Sequence, residues 1–224
     1  MSFIDKLYQA LIANNRYMLY LEGLGVTMLV TVGAIVLGTV LGCVAALLRT
    51  AEAKPPRFLA QVYIDVIRGT PVMVQLLIFY MVIFTAPNTS KVLVSIVAFG
   101  INSGAYVAEI IRGGIASVDP GQMEAGRSLG LSKGQTMWHV ILPQAVKNAL
   151  PAYANEFIVL IKETAVVGYI GLQDLTKISS TIISRTYEAM APLLIIAAVY
   201  LALTMGLSRL FARMERRLRR DDPS

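Results

Sequence analysis

Residues 119–143 read DPGQMEAGRSLGLSKGQTMWHVILP, the longest polar interval between hydrophobic segments of the chain. Asp119 suits the capping position of a helix, Pro120 the first helical position, and Gln122 the place from which a side chain closes a capping box. Gly130 falls where a helix ends in a left-handed turn, a conformation that glycine enters cheaply. Ser132 with Gln135 repeats the capping pattern, and Pro143 is expected to close the second piece. The stretch therefore predicts a helix, a glycine elbow and a second helix, lying outside a membrane.

Composition explains why a membrane is invoked. Of 224 residues, 56% are hydrophobic and 15% charged, whereas soluble domains carry about 25% charged residues. A water-soluble fold of this length has no room to hide so much apolar surface. The net charge of +6 is uneven, because Arg209, Arg213, Arg216, Arg217, Arg219 and Arg220 crowd the C-terminal end. Directly after a hydrophobic segment, that run reads as a cytoplasmic anchor against anionic lipid rather than a nucleic-acid site. Cys43 is the single cysteine and His139 the single histidine, so neither a disulfide framework nor the usual zinc sets are available.

Segment lengths then give the organisation. Residues 2–14 place Phe3, Ile4, Leu7, Tyr8, Leu11 and Ile12 on one helical face, a short amphipathic helix at the membrane surface. Gly23 to Leu48 contains no charge. That is too long for a signal-peptide core of about 7 to 15 residues and long enough for a spanning helix of about 20. Spans are expected at about 19–48, 58–84, 92–111, 145–167 and 189–208, the fourth much less apolar than the rest. Ala34, Gly38, Gly42 and Ala46 recur every four residues, as do Gly100, Gly104 and Ala108. Such stripes let another helix approach closely. The fold class is all-α and integral to the membrane, a single domain over 1–224.

Five spans put the chain ends on opposite sides. Arg49, Lys54, Arg57, Arg112, Arg127, Lys133 and Lys147 share a side with the arginine tail, while Lys6, Arg16, Lys91, Lys177 and Arg185 lie opposite. The imbalance sets the N-terminus outside, with the C-terminus and the 119–143 loop in the cytoplasm.

The loop also resembles a known pattern. Glu124-Ala125-Gly126, Gly130 five residues after Ala125, and Ile141-Leu142-Pro143 resemble the EAA loop of bacterial ABC-importer permeases, especially the polar amino acid branch of the histidine, glutamine and arginine type. The likeness runs from about Gly23 to the final span. It implies a type I importer fold in the bacterial inner membrane and a loop that docks into a cleft on a separate ATPase. Glu124, Ala125, Gly126, Leu129, Gly130, Leu131 and Pro143 would carry that coupling. Gly126 stands where the family usually has a second alanine.

Several polar residues fall in or beside the proposed spans: Asp65, Arg68, Asn102, Glu109, Glu156, Lys162 and Glu163. A charge at a helix centre costs about 2.5 to 3.5 kcal/mol on insertion scales, so such residues face a partner or a wet cavity. Asp65, Glu109 and Lys162 can equally be residues that pair and only hold helices together. An amino acid crossing a membrane is a zwitterion: its ammonium needs acceptors and its carboxylate needs donors. Asn102 and Ser103 can supply donors on the third span, and Glu156 an acceptor on the fourth. By resemblance, the segments RGTP (68–71) and NEFIVLIKET (155–164) belong to the translocation path, adding Arg68, Thr70, Asn155 and Thr164 to the candidates.

Absences complete the reading. No G-x-x-x-x-G-K-[ST] occurs, so this chain would bind no cofactor and hydrolyse nothing, and ATP with its magnesium would sit on the partner ATPase. The resemblance implies an ATPase dimer and an extracytoplasmic amino-acid-binding protein as partners. Five helices do not readily enclose a gated path, so a homodimer or a heterodimer with a second permease is expected. The competing readings are a secondary transporter or ion channel using the intramembrane charges, and an intramembrane enzyme. The first has no need of a capped ATPase-gripping loop. The second would need paired aspartates or a Ser-His dyad, and Asp65 is the only aspartate in any proposed span.

Overall fold

The computed structural model describes residues 2–51 and 53–220, with side chains through Arg217. Met1, Glu52 and 221–224 lie outside the described residues, and of Arg219 and Arg220 only the helical backbone is described. Among the described residues the secondary structure is helical throughout, as expected of an all-α chain. The helices are α1 (Phe3–Leu11), α2 (Arg16–Arg49), α3 (Lys54–Arg68), α4 (Val72–Ile78), α5 (Lys91–Ala116), α6 (Pro120–Ser128), α7 (Lys133–Thr136), α8 (Leu142–Glu163), α9 (Leu175–Thr186) and α10 (Met190–Arg220). Ala13–Arg49, Lys91–Ala116 and Met190–Arg217 are long and apolar enough to cross a membrane.

The centre of the molecule is the packing of α2 on α5, and the two glycine stripes make it. A Cβ built at Gly38 would lie 3.1 Å from both the Gly100 oxygen and the Gly104 nitrogen. At Gly42 it would lie 2.6 Å from Val107 Cγ1 and 2.9 Å from the Gly104 oxygen. The backbones approach because Gly38 and Gly104 face each other without side chains, with Val107 filling the space beside Gly42. Around this contact, Val30, Ala34, Ile35, Leu76, Ala98, Phe99 and Leu160 form a continuous buried cluster joining α2, α4, α5 and α8. The opposite face of α2, including Leu29, Val32, Val36, Val40 and Val44, is exposed.

The segment expected as one span over 58–84 is two helices bent by 106° at Gly69–Pro71. Proline lacks an N–H and disfavours the helical region for the residue before it, so Thr70-Pro71 ends α3. The orphaned carbonyls are met locally. Thr70 Oγ1 donates to the Val66 oxygen at 2.9 Å, and Gln75 Nε2 reaches back to the Ile67 oxygen at 2.8 Å. The corner is hydrogen-bonded, not frayed.

The 119–143 loop is the expected helix, elbow and helix, with two differences. Asp119 caps α6 by accepting from the Gly121 N–H at 2.8 Å, and no reach-back from Gln122 completes a box. Pro143 does not close the second piece. A widened π turn at Met137–Ile141 precedes it, and α7, the π turn and α8 run on as continuous helix. The wider turn relieves the clash between the proline ring and the carbonyl four residues back. The final helix also outruns expectation, continuing from residue 208 to 220. Residues 2–14 form α1, with a Ser2–Asp5 capping box, and Lys6 pairs with Glu188 at 2.8 Å just before α10. Cys43 is exposed on α2.

Gly42→Ala should lower the thermal midpoint of the detergent-solubilised protein by an amount equivalent to about 1–3 kcal/mol, because the new methyl overlaps the stiff β-branched side chain of Val107 and the Gly104 carbonyl. Gly25→Ala, on the same helix with nothing within 4 Å, should be neutral or slightly stabilising. Equal midpoints for both variants would mean that the close approach does not hold α2 to α5.

Candidate functional site

Two polar layers lie against α5. Asn102 and Ser103 are consecutive, so their side chains leave the helix about 100° apart and serve different neighbours. Asn102 is 3% exposed and donates to Gln75 Oε1 at 3.0 Å, locking α5 to the α3–α4 corner. Ser103 is fully buried and donates to Glu156 Oε1 on α8 at 2.8 Å. Glu156 itself is 8% exposed, and among the described residues no cation lies within ion-pair distance of its carboxylate. A buried carboxylate with a single hydroxyl donor is an unbalanced group.

The other candidates divide. Thr70 is exposed at the corner and accepts from Gln75 Nε2 at 2.7 Å. Arg68 stands 5.3 Å over the Tyr106 ring and 3.6 Å from Glu109. Asn155 is exposed, lining a groove of about 520 Å³ between α8 and α10 with Tyr153, Phe157 and Phe211. Thr164 is fully buried, and its hydroxyl returns to the Ile161 oxygen at 2.8 Å, at the junction of α8 with a 3-10 turn. Asn102 and Thr70 are thus joined through Gln75, Ser103 and Glu156 form a separate pair on another side of α5, and Thr164 is committed to its own helix.

The remaining charges are largely structural. Glu109 accepts from Arg49 and Arg112 and faces Arg68, one carboxylate among three guanidiniums; the Arg49 bond ties α2 to the end of α5, and the Arg112 bond lies within α5. Asp65 is exposed and accepts from Gln61 Nε2 at 2.8 Å. Gln75 was the residue that sequence reasoning missed. It is 5% exposed and central to the corner, and its signal was a lone amide inside the apolar run 72–83.

The loop presents a second, different surface. Gly130 has φ of +87°, with Leu131 N–H bonded to the Gly126 oxygen and Gly130 N–H to the Arg127 oxygen, both at 3.1 Å. This pair of bonds is the Schellman arrangement, which needs a left-handed residue between them. Ser132 and Gln135 form the second capping box. Beside the elbow, Leu129 is 84% exposed, and Glu124 and Ala125 are also exposed. Leu131 is half-buried and Pro143 exposed. Gly126 is the buried member: a Cβ there would lie 2.9 Å from Thr136 Oγ1 and 3.2 Å from Thr136 Cβ. Thr136 fills the space that a second alanine would take.

The family model described as binding-protein-dependent transport system inner membrane component matches residues 14–220. The arginine transport system permease protein ArtQ of Bacillus subtilis (strain 168) is 38% identical over 207 residues, covering 90% of this chain and 93% of that protein. The glutamine transport system permease protein GlnP of Escherichia coli (strain K12) is 37% identical over 204 residues, with 90% and 93% covered. A crystal structure of an amino acid ABC transporter with histidines superposes with a TM-score of 0.88 at 43% identity, over 97% of this chain and 99% of that one. The MetNI methionine ABC transporter, inward facing, shares the fold at a TM-score of 0.74 and 19% identity, over 93% and 98%.

Gly126→Ala should cost about 1–3 kcal/mol by overpacking, read as a lowered thermal midpoint. Adding Thr136→Ala should restore most of the loss, since the neighbour that remains is a Cβ at 3.2 Å. Additive effects of the two substitutions would show that these residues do not compete for one space.

Proposed function

The chain belongs to the family of binding-protein-dependent transport system inner membrane components, as a permease subunit of an ABC importer of amino acids, and we propose that polar amino acids pass beside Glu156 under drive from the 119–143 loop. The observation that carries this reading is the buried, cation-free carboxylate of Glu156. An isolated buried charge costs several kcal/mol, a cost that either a proton or a cation removes. A passing ammonium or guanidinium supplies the cation, in a charge-assisted hydrogen bond about twice as strong as a neutral one. Asn102, Ser103, Thr70 and Asn155 offer donors and acceptors for the rest of a zwitterion, and Arg68 a positive edge for its carboxylate. Relatives named for arginine and glutamine transport fit this class of cargo.

The energy comes from outside the chain. An ATPase dimer holds ATP and magnesium and receives the loop through Glu124, Ala125, Leu129 and Leu131, with Gly126, Gly130 and Pro143 shaping it. The exposure of Leu129 beside an open glycine elbow supports that role, because an apolar side chain left in water is suited to burial in a partner. An extracytoplasmic binding protein delivers the amino acid. The path is completed by a second copy of this chain or by a sister permease. The N-terminus lies outside and the C-terminus in the cytoplasm, as the distribution of lysine and arginine favours.

Glu156→Gln keeps size and shape but removes the charge. Uptake into vesicles carrying the ATPase and binding protein should fall at least tenfold or shift in selectivity among acidic, neutral and basic amino acids. Thermal stability should hold or rise, since an uncompensated buried charge is gone. Unchanged uptake of all three classes would remove Glu156 from the path. Gly130→Asp should separate ATP hydrolysis from transport: a non-glycine residue at φ +87° costs roughly 1 kcal/mol or more, and a carboxylate enters the docking surface. Normal transport by this variant would refute the coupling role of the elbow.

A further inference from the structure

A basic hollow sits where α2 ends, α3 begins and α5 approaches its C-terminus. One part, of about 360 Å³, is lined by Arg49, Arg57 and Arg112 with Ala46, Ile111 and Ile115. An adjoining part, of about 380 Å³, is lined by Arg49, Lys54, Arg57, Phe58 and Gln61. Arg49 and Arg57 belong to both, so the two parts meet along their cationic wall. Glu109 offsets part of the charge by pairing with Arg49 and Arg112, and Asp65 borders the far end through its bond to Gln61. Lys54 and Arg57 are exposed and have no ion-pair partner among the described residues.

The surroundings of the hollow say what kind of anion it suits. Phe58 lines it, Leu47 lies two residues before Arg49 on α2 and Leu59 follows Phe58 on α3; Leu47, Phe58 and Leu59 are 71%, 67% and 66% exposed. This apolar rim continues the outward face of α2, which carries Val36, Val40 and Val44. A free anion would gain nothing from the rim. A molecule with a phosphate head and acyl chains would place one on the cations and the other against Leu47 and Phe58. The level also fits, because the guanidiniums of Arg49 and Arg112 lie at the ends of spanning helices, the depth of the headgroups. We propose that this hollow is a binding site for the phosphate headgroup of an anionic phospholipid, with Arg57 and Lys54 as its outer ligands and Arg49 and Arg112 as its floor. Because Arg49 and Arg112 also hold Glu109, a lipid seated there braces the junction of α2, α3 and α5.

The test uses the full chain in phosphatidylcholine vesicles, with spin-labelled phosphatidylglycerol or spin-labelled phosphatidylcholine as probe. The wild-type chain should immobilise the phosphatidylglycerol label in clear preference to the phosphatidylcholine label. The double variant Lys54→Gln with Arg57→Gln should lose roughly tenfold or more of that preference, from a contribution of about fivefold per cation near a charged surface. Arg57→Lys should retain it. A control pair, Lys177→Gln with Arg185→Gln on α9, away from both the hollow and the arginine tail, should leave it unchanged. Should the double variant not elute as a folded species, Arg57→Gln alone is read, with a loss of about fivefold. Absence of preference in the wild type, or an equal loss in the control pair, overturns the site. Displacement of the label by millimolar inorganic phosphate would instead assign the hollow to a soluble anion and likewise overturn the lipid proposal.

Discussion

The absence of side chains at Gly38, Gly42, Gly100 and Gly104 is the constraint on which the rest depends. In lipid, apolar burial offers helices little reason to associate, so shape at the contact decides. Here the shape is backbone against backbone, with Cβ positions at Gly38 and Gly104 only 3.1 to 3.3 Å from main-chain atoms of the facing helix. That contact fixes the rotation of α5 about its axis. Once the glycine stripe faces α2, Asn102 must point to the α3–α4 corner and Ser103 to α8. The polar layer is therefore a consequence of the apolar one.

The polar layer obeys the second rule of the membrane interior, that each backbone group must find an internal partner. Breaking α3 at Thr70-Pro71 leaves carbonyls without helical donors, and Thr70 and Gln75 supply them. Asn102 then holds Gln75 in place. Every member of this set gives or receives a hydrogen bond within the chain, which makes the corner a rigid feature. Glu156 differs. Among the described residues it has one hydroxyl donor and no cation within ion-pair distance, the imbalance on which its proposed role in the path rests.

Much of this was legible in the residues, and the physical reasons separate what was from what was not. Caps and elbows are local: Asp119, Gly130, Ser132 and Gln135 act within a few residues of themselves, so their spacing alone marked the loop. The glycine stripes were legible for the same reason, as a period along one helix. The break in the second span needed tertiary information. Proline after threonine signals an interruption, but whether α4 continues across the membrane or turns by 106° depends on what packs against it. Pro143 misled in the other direction, because a π turn widened the helix and let the chain continue. Gln75 escaped notice because an uncharged amide in an apolar run costs little in composition while contributing much once its partners are known.

The continuity past Pro143 changes how the proposed coupling works. Had the second helix stopped there, the loop would join α8 through a flexible break, and motion at the elbow would be absorbed by it. Instead, continuous helix runs from Lys133 through the π turn to Glu163, with Pro151 accommodated inside it. From Ser132 to Glu156 that is roughly 35 Å of helix at 1.5 Å per residue. A helix of this kind transmits displacement, whereas a loop dissipates it. The buried contact of Gly126 with Thr136 clamps α6 onto the base of the same rod. Under that proposal, force applied to α6 would act on the helix that carries Glu156. In the proposed coupling, the fit of Gly126 to Thr136 and the widened turn that keeps the helix running past Pro143 would both carry that force.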